Sequence, residues 1–187
     1  MEITSKVLGG AELIDAEGVL KKSGLEANMK VGDFGCGGRA YFALQAAKLV
    51  GKDGLVYAID ILKAHLKSVD DLARFYNFKN IKTVWADLEI PGSTKIESGF
   101  LDFVIITNLF FQTKKHQEIW QEVARVLKTG GKVFVADWGR AASPIGPPIE
   151  MRTDVGKIKN MAQNYQFSLI DEFPAGPYHF GLVFVKE

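Results

Sequence analysis

Along almost the whole chain, short apolar runs alternate with longer segments of helical period. That alternation predicts a parallel sheet with helices on its faces, because a crossover between parallel strands needs a dozen or more residues, which a helix supplies. Seven strands are expected: KVGDFG (30–35), LVYAID (55–60), IKTVWAD (81–87), LDFVIITN (101–108), KVFVADW (132–138), FSLIDEF (167–173) and GLVFVK (181–186). Between them AYFALQAAKLV, LKAHLKSVDDLARFY, HQEIWQEVARVLK and TDVGKIKNMAQNY carry apolar residues three and four apart, the mark of amphipathic helices. Gly51 and Gly130-Gly131 follow two of these as C-terminal stops. Only PAGPYHF separates the last two strands, which permits a hairpin but no parallel crossover. The expected class is α/β, with a seven-stranded mixed sheet whose last strand is antiparallel.

At 187 residues the chain fits one domain, with residues 1–28 as an N-terminal helical cap and 29–187 as the core. The cap contains the amphipathic AELIDAEGVLKKSG. With 23 basic and 22 acidic residues no global field draws the protein to nucleic acid. No apolar run approaches the ~20 residues that span a bilayer, so no membrane partner is expected. The first residues lack the basic region and apolar core of a signal peptide, and one cysteine forms no intramolecular disulfide; the expected location is cytoplasmic. The longest irregular piece, GRAASPIGPPIEMR (139–152), is long enough for a functional loop.

The stretch VGDFGCGGRAYF (31–42) places a glycine-rich turn where the first strand meets the first long helix, so that backbone can approach a ligand. GCGGRA matches the dinucleotide pattern G-x-G-x-x-G/A, and Asp60 follows near the expected distance. Asp33 separates the readings. A carboxylate there repels a pyrophosphate but suits an ammonium group, which favours a zwitterionic ligand. Cys36 is expected to pack as a small hydrophobe rather than react.

Taken together, these motifs resemble those of class I S-adenosylmethionine-dependent methyltransferases, over about residues 29–186. The resemblance implies a Rossmann-like sheet and S-adenosyl-L-methionine as cofactor. It places Asp33, Gly35, Cys36 and Gly37 of DFGCG beside the amino-acid moiety. It places Asp60, with Ile61 after it, at the ribose hydroxyls, and Asp87 and Leu88 of WADLE at the adenine. Thr107, Asn108 and Leu109 of ITNLF would edge the sulfonium and methyl, while VLKTGGKVFVADW resembles the helix, double glycine and fifth strand of the family. Arg39 stands where the family has a further glycine, and Gly38 precedes it. DWGRAASPIGPPIEMR and PYHFGLVF resemble small methyltransferases akin to those of ubiquinone and menaquinone biosynthesis and to arsenite methyltransferases. Arsenite chemistry relies on several thiols, and this chain has Cys36 alone.

Methyl transfer is an in-line displacement in which alignment comes first and a base is optional. The expected reaction is transfer to an O, N or C centre, most simply on a small molecule. The alternatives are a protein or RNA acceptor in an open pocket, and a non-catalytic S-adenosylmethionine-binding module. No metal is expected, and oligomeric state is not legible. The acceptor is expected between Asn108 to Gln112, the Gly139 to Pro148 loop and Tyr178-His179. There His179 is a candidate general base and Tyr178 an orienting hydroxyl, against the alternative that both simply pack the hairpin. His116 is expected at a helix terminus on the surface, and His65 at the periphery.

Overall fold

The computed structural model describes residues 11–141 and 143–187. Seven strands form one sheet: β1 (Lys30–Phe34), β2 (Leu55–Asp60), β3 (Ile81–Trp85), β4 (Leu101–Thr107), β5 (Leu127–Trp138), β6 (Phe167–Pro174) and β7 (His179–Lys186). Their order is β3-β2-β1-β4-β5-β7-β6. All pairings among β1 to β5 are parallel, and β7 runs antiparallel to both β5 and β6. The chain therefore starts mid-sheet, winds outward to β3, and restarts beside β1 at β4. That reversal opens a crevice beyond the carboxyl ends of β1 and β4.

Both faces of the sheet are covered, which is why its central strands are continuous apolar runs. Val31, Ala58, Ile105, Phe134 and Val183 point to one layer, shared with α1 (Ala16–Lys22), α2 (Tyr41–Val50) and Val69 of α3 (Lys63–Phe75). Phe34, Ile59, Val104, Ile106 and Val135 point to the other, against α4 (His116–Val126) and α5 (Val155–Asn164). In α4 the apolar stripe is Ile119, Trp120, Val123 and Val126, spaced one, three and three apart. Among the described residues no helix is long and apolar enough to cross a membrane.

Two expectations are corrected at α4 and β5. The helix ends at Val126 and the chain enters β5 at once, so Gly130-Gly131 lie inside the strand rather than capping the helix. They belong to an irregularity in which Leu127 pairs with Leu101 while Lys132 pairs with Phe103. The hairpin strand β7 also starts earlier than expected, at His179.

The long connection from β3 to β4 is held by a buried carboxylate. Glu122 of α4 accepts from Gly92 N–H (2.6 Å), from Thr94 Oγ1, and from Arg125 Nε (2.9 Å) and Nη2 (2.7 Å), while Arg125 Nη1 donates to Ile96 O (2.6 Å). Burial alone would raise the Glu122 pKa, but these donors outweigh it and hold the carboxyl below the usual range.

Candidate functional site

A cavity of about 690 Å³ lies beyond the carboxyl ends of β1, β2 and β4, a volume that suits a ligand of cofactor size. Its floor is the glycine loop. The Gly35 and Cys36 amides both donate to Ile59 O, at 2.9 and 3.0 Å, which folds the loop back over β2. Gly37 has φ +64°, and a side chain there would meet no atom within 4 Å, so its backbone faces open space. Gly37 N–H donates to Asp60 Oδ2 at 3.0 Å, and Leu62 N–H to Asp60 Oδ1 at 2.8 Å. The next left-handed residue is Ala40 (φ 49°), not Arg39, so the position where the family has glycine needs none here. Arg39 pairs instead with Glu12 across the cavity mouth.

Asp60, Ile61, Asp87, Leu88, Thr107 and Asn108 all line this one cavity. Asp87 Oδ1 accepts from Glu89 N–H (2.9 Å), which fixes the turn after β3 beside the cavity. Asn108 sits at φ 53° with its amide N–H on Ala136 O (2.9 Å), and both polar atoms of its side chain are buried without a partner. A buried amide with four unmet hydrogen-bonding positions beside a cavity is the signature of a site built for a polar ligand. Beyond Asn108 the wall turns apolar, with Leu109, Phe111, Ile119 and Trp138.

Three expectations for ionisable groups need correction. Asp33 does not line the cavity: it points from β1 into the layer under the glycine loop, 1% exposed, with neither oxygen in a hydrogen bond. Burial pushes its pKa up to about 7, the nearby Ala43 N–H partly offsetting the rise without closing a hydrogen bond and Asp60 adding to it. Tyr178 and His179 do not line it either, because β7 begins one position after Tyr178 and carries both rings against Trp138, whose own ring forms the wall. The His179 ring lies 4.3 Å from that of Trp138, tilted by 41°, and burial, with Arg152 nearby, lowers its pKa to about 4. The ring thus lies off the cavity, and the lowered pKa makes it a weaker proton acceptor than a free imidazole. The described residues of the Gly139 to Pro148 loop are likewise absent from the cavity lining, caged by Arg152, which donates to Pro147 O (2.9 Å) and to Gly139 O and Ala141 O (both 2.8 Å).

The raised Asp33 pKa has a measurable consequence. Between the ordinary value of 3.8 and about 7 the folded protein holds a proton that the unfolded chain releases, so Asp33 makes stability fall as pH rises through that window. Asp33→Asn is expected to remove this slope, raising the unfolding free energy at pH 8 by about 2 kcal/mol or more and changing it little at pH 4. Thermal unfolding at the two pH values checks it; an equal change at both would show that Asp33 is ionised in the fold.

His65 is the opposite case. Expected at the periphery, it lines the cavity with Nδ1 3.1 Å from Asp60 Oδ2, because the first turn of α3 swings back over the glycine loop. His116 is half-buried and tied by Nε2 to Phe110 O and Thr113 O, both 2.8 Å, so it fixes the turn after β4 rather than facing solvent. Sequence reasoning missed Asp137. Its Oδ1 accepts from Trp138 N–H (2.7 Å) and Oδ2 from Phe111 N–H (3.3 Å), which sets the two aromatic walls relative to each other. Burial raises its pKa to about 7 despite these amides. The available signal was an acid at an inward position of the otherwise apolar VFVADW.

Fold and cavity define an α/β protein of the class I methyltransferase architecture, with a nucleoside-sized site at the switch point. A family model described as a methyltransferase domain matches residues 32–135, more than half of the chain. The chain therefore belongs to the S-adenosylmethionine-dependent methyltransferases of class I. Among solved structures, a SAM-dependent methyltransferase from Aquifex aeolicus superposes with a TM-score of 0.86 at 24% identity, covering 97% of this chain and 95% of that one. A protein of Sulfolobus solfataricus proposed to be a type 11 methyltransferase gives 0.67 at 29% identity, over 84% and 83%. Aeropyrum pernix fibrillarin, solved with natively bound S-adenosyl-L-methionine, gives 0.69 at 13% identity, over 86% and 68%. No curated protein matches the sequence.

Proposed function

We propose that this methyltransferase acts on a small, flat, largely apolar acceptor, methylating an O, N or C centre at the aromatic end of the cavity. The chain works as one domain whose N-terminal turn, with Ala11 and Glu12 on the cavity, covers part of the site. The carrying observation is that one continuous cavity joins the acidic series Asp60 and Asp87 to the apolar wall of Leu109, Phe111, Ile119 and Trp138.

S-adenosylmethionine, when bound, supplies an electrophilic methyl group on a sulfonium. Asp60 would accept from the ribose, and Asp87 with the Leu88 amide would meet the adenine. The backbone of Gly35 to Gly37 and the unpartnered amide of Asn108 would hold the amino-acid end. Phe111 and Trp138 then align the acceptor and exclude water, and alignment supplies most of the rate in a displacement of this kind.

The carboxylates on the cavity are already engaged. Asp60 accepts from two amides and contacts His65, and Asp87 closes its own turn. Glu89 is held below the usual carboxylate range by Thr113 and Lys115, with only slight burial opposing them, so it is a weak proton acceptor. The Tyr41 hydroxyl donates to Ile14 O at 3.2 Å. Accordingly the acceptor is one that ionises in solution or loses its proton to water.

Transfer of a labelled methyl group from S-adenosylmethionine tests the reading, using simple phenols, aromatic amines and heteroaromatics against bulk RNA and protein as acceptors. Label in the planar small molecules is expected. Label in RNA or protein alone would overturn the small-molecule assignment. Phe111→Ala is expected to raise the acceptor KM about tenfold or more, the size of one lost aromatic contact, with S-adenosylhomocysteine affinity unchanged.

A further inference from the structure

A carboxylate offers about four lone-pair positions, two on each oxygen. On Asp60 three are taken: Leu62 N–H uses one on Oδ1 (2.8 Å), while Gly37 N–H (3.0 Å) and His65 Nδ1 (3.1 Å) use both on Oδ2. One position, on Oδ1, remains. A vicinal diol brings two hydroxyl donors, so one of the three present has to move when both hydroxyls bind.

The two backbone donors are fixed. Gly37 belongs to the loop pinned by the Gly35 and Cys36 amides on Ile59 O, and Leu62 leads directly into α3. His65 is the one side chain among the three, its ring 39% exposed and free to turn about two torsions. The glycine loop has room for that ring because residue 38 lacks a side chain. A Cβ on Gly38 would stand 3.1 Å from His65 Cδ2, closer than ordinary van der Waals contact. The extra glycine of GCGGRA and the histidine of α3 thus form one device.

Resting on the reading that Asp60 takes the ribose, we infer that His65 competes with the second ribose hydroxyl for Asp60 Oδ2 and yields it on binding. His65 is a positioning residue that tunes cofactor affinity downward. It holds the carboxylate in its rotamer, and its hydrogen bond is exchanged for that of the ligand. An enzyme that must release its spent cofactor gains turnover from such an exchange, since product release limits many rates of this kind.

Calorimetric titration of the intact protein with S-adenosylhomocysteine and its 2′-deoxy and 3′-deoxy counterparts tests this, in wild type, His65→Leu and His65→Asn. His65→Leu, which keeps bulk but loses the donor, is expected to bind S-adenosylhomocysteine about three- to tenfold tighter, the size of one net hydrogen bond. It is also expected to lose more affinity than wild type when one hydroxyl is deleted, because no imidazole refills Oδ2. His65→Asn, with a donor near the Nδ1 position, is expected within about twofold of wild type. A merely structural histidine would not couple to a ligand hydroxyl. His65→Leu binding no tighter than wild type, or paying the same penalty for a missing hydroxyl, overturns the inference alone. Binding that survives Asp60→Ala overturns the ribose reading and the inference with it.

Discussion

Asp60→Ala is expected to lower the affinity for S-adenosylhomocysteine by roughly 10²- to 10⁴-fold in calorimetry, with the fold retained. Two charge-assisted hydrogen bonds to the ribose disappear, each contributing about 1.5–3 kcal/mol. The Gly37 and Leu62 amides also lose their acceptor, so the glycine loop is less firmly held for the rest of the ligand. Asp60→Asn keeps one acceptor oxygen but turns an N–H₂ toward groups that themselves donate, so its loss is expected to approach that of alanine. Affinity within about threefold of wild type in both variants would remove Asp60 from the site.

The largest stability effect is expected at Glu122, which does not itself line the cavity. Glu122→Ala leaves Arg125, Thr94 and the Gly92 amide without their shared acceptor and leaves the connection from β3 to β4 untethered. Removing one partner of a buried ion pair costs about 3–5 kcal/mol, which at this chain length lowers Tm by roughly 10 °C. The sign of the pH dependence follows from the lowered pKa. The unfolded carboxyl ionises near its ordinary value of 4.5 and the folded one lower, so the contribution is complete above 4.5 and is lost as pH falls through the folded value. The Tm gap between wild type and variant is therefore expected to be constant from pH 6 to 8 and to close in stronger acid. A gap that persisted unchanged at pH 2 would show that the carboxylate charge is not what holds the segment. Because Asp87, Leu88 and Glu89 open the same connection, the variant is also expected to bind S-adenosylhomocysteine more weakly.

The fold was legible because its signals are local. Parallel strands buried on both faces must be apolar throughout, and the helices between them must carry a stripe, so LVYAID and HQEIWQEVARV announce themselves without neighbours. The boundary at Val126 was not legible. Gly130-Gly131 look like a helix stop in any sequence, and only the pairing of Leu127 with Leu101 shows that the strand has already begun.

Within the site the same division holds. Gly35, Asp60, Asp87 and Asn108 follow directly from the ends of β1, β2, β3 and β4, and strand ends share one side of a parallel sheet whatever else the molecule does. Asp33, Tyr178 and His179 lie just as close to strand ends in sequence, yet they lie off the cavity. A strand residue's face is set by register, and a hairpin's position by what it packs on. Asp33 points with Val31 into the α2 layer, and the His179 ring is trapped behind Trp138. His65 shows the converse: helical period marks α3 as amphipathic but does not say that its first turn will lie on Gly38.

By itself, then, the sequence determined the strands, the helices between them, the closing hairpin, the glycine loop and the acidic series, which rest on periodicity and short-range backbone demands; the order of the strands in the sheet came only with the structure. Only the tertiary structure decided which ionisable groups meet the ligand. Contact across 23 residues between Gly37 and Asp60, or burial of Asp33 and His179, depends on how layers pack and on desolvation, and neither is encoded within a single segment.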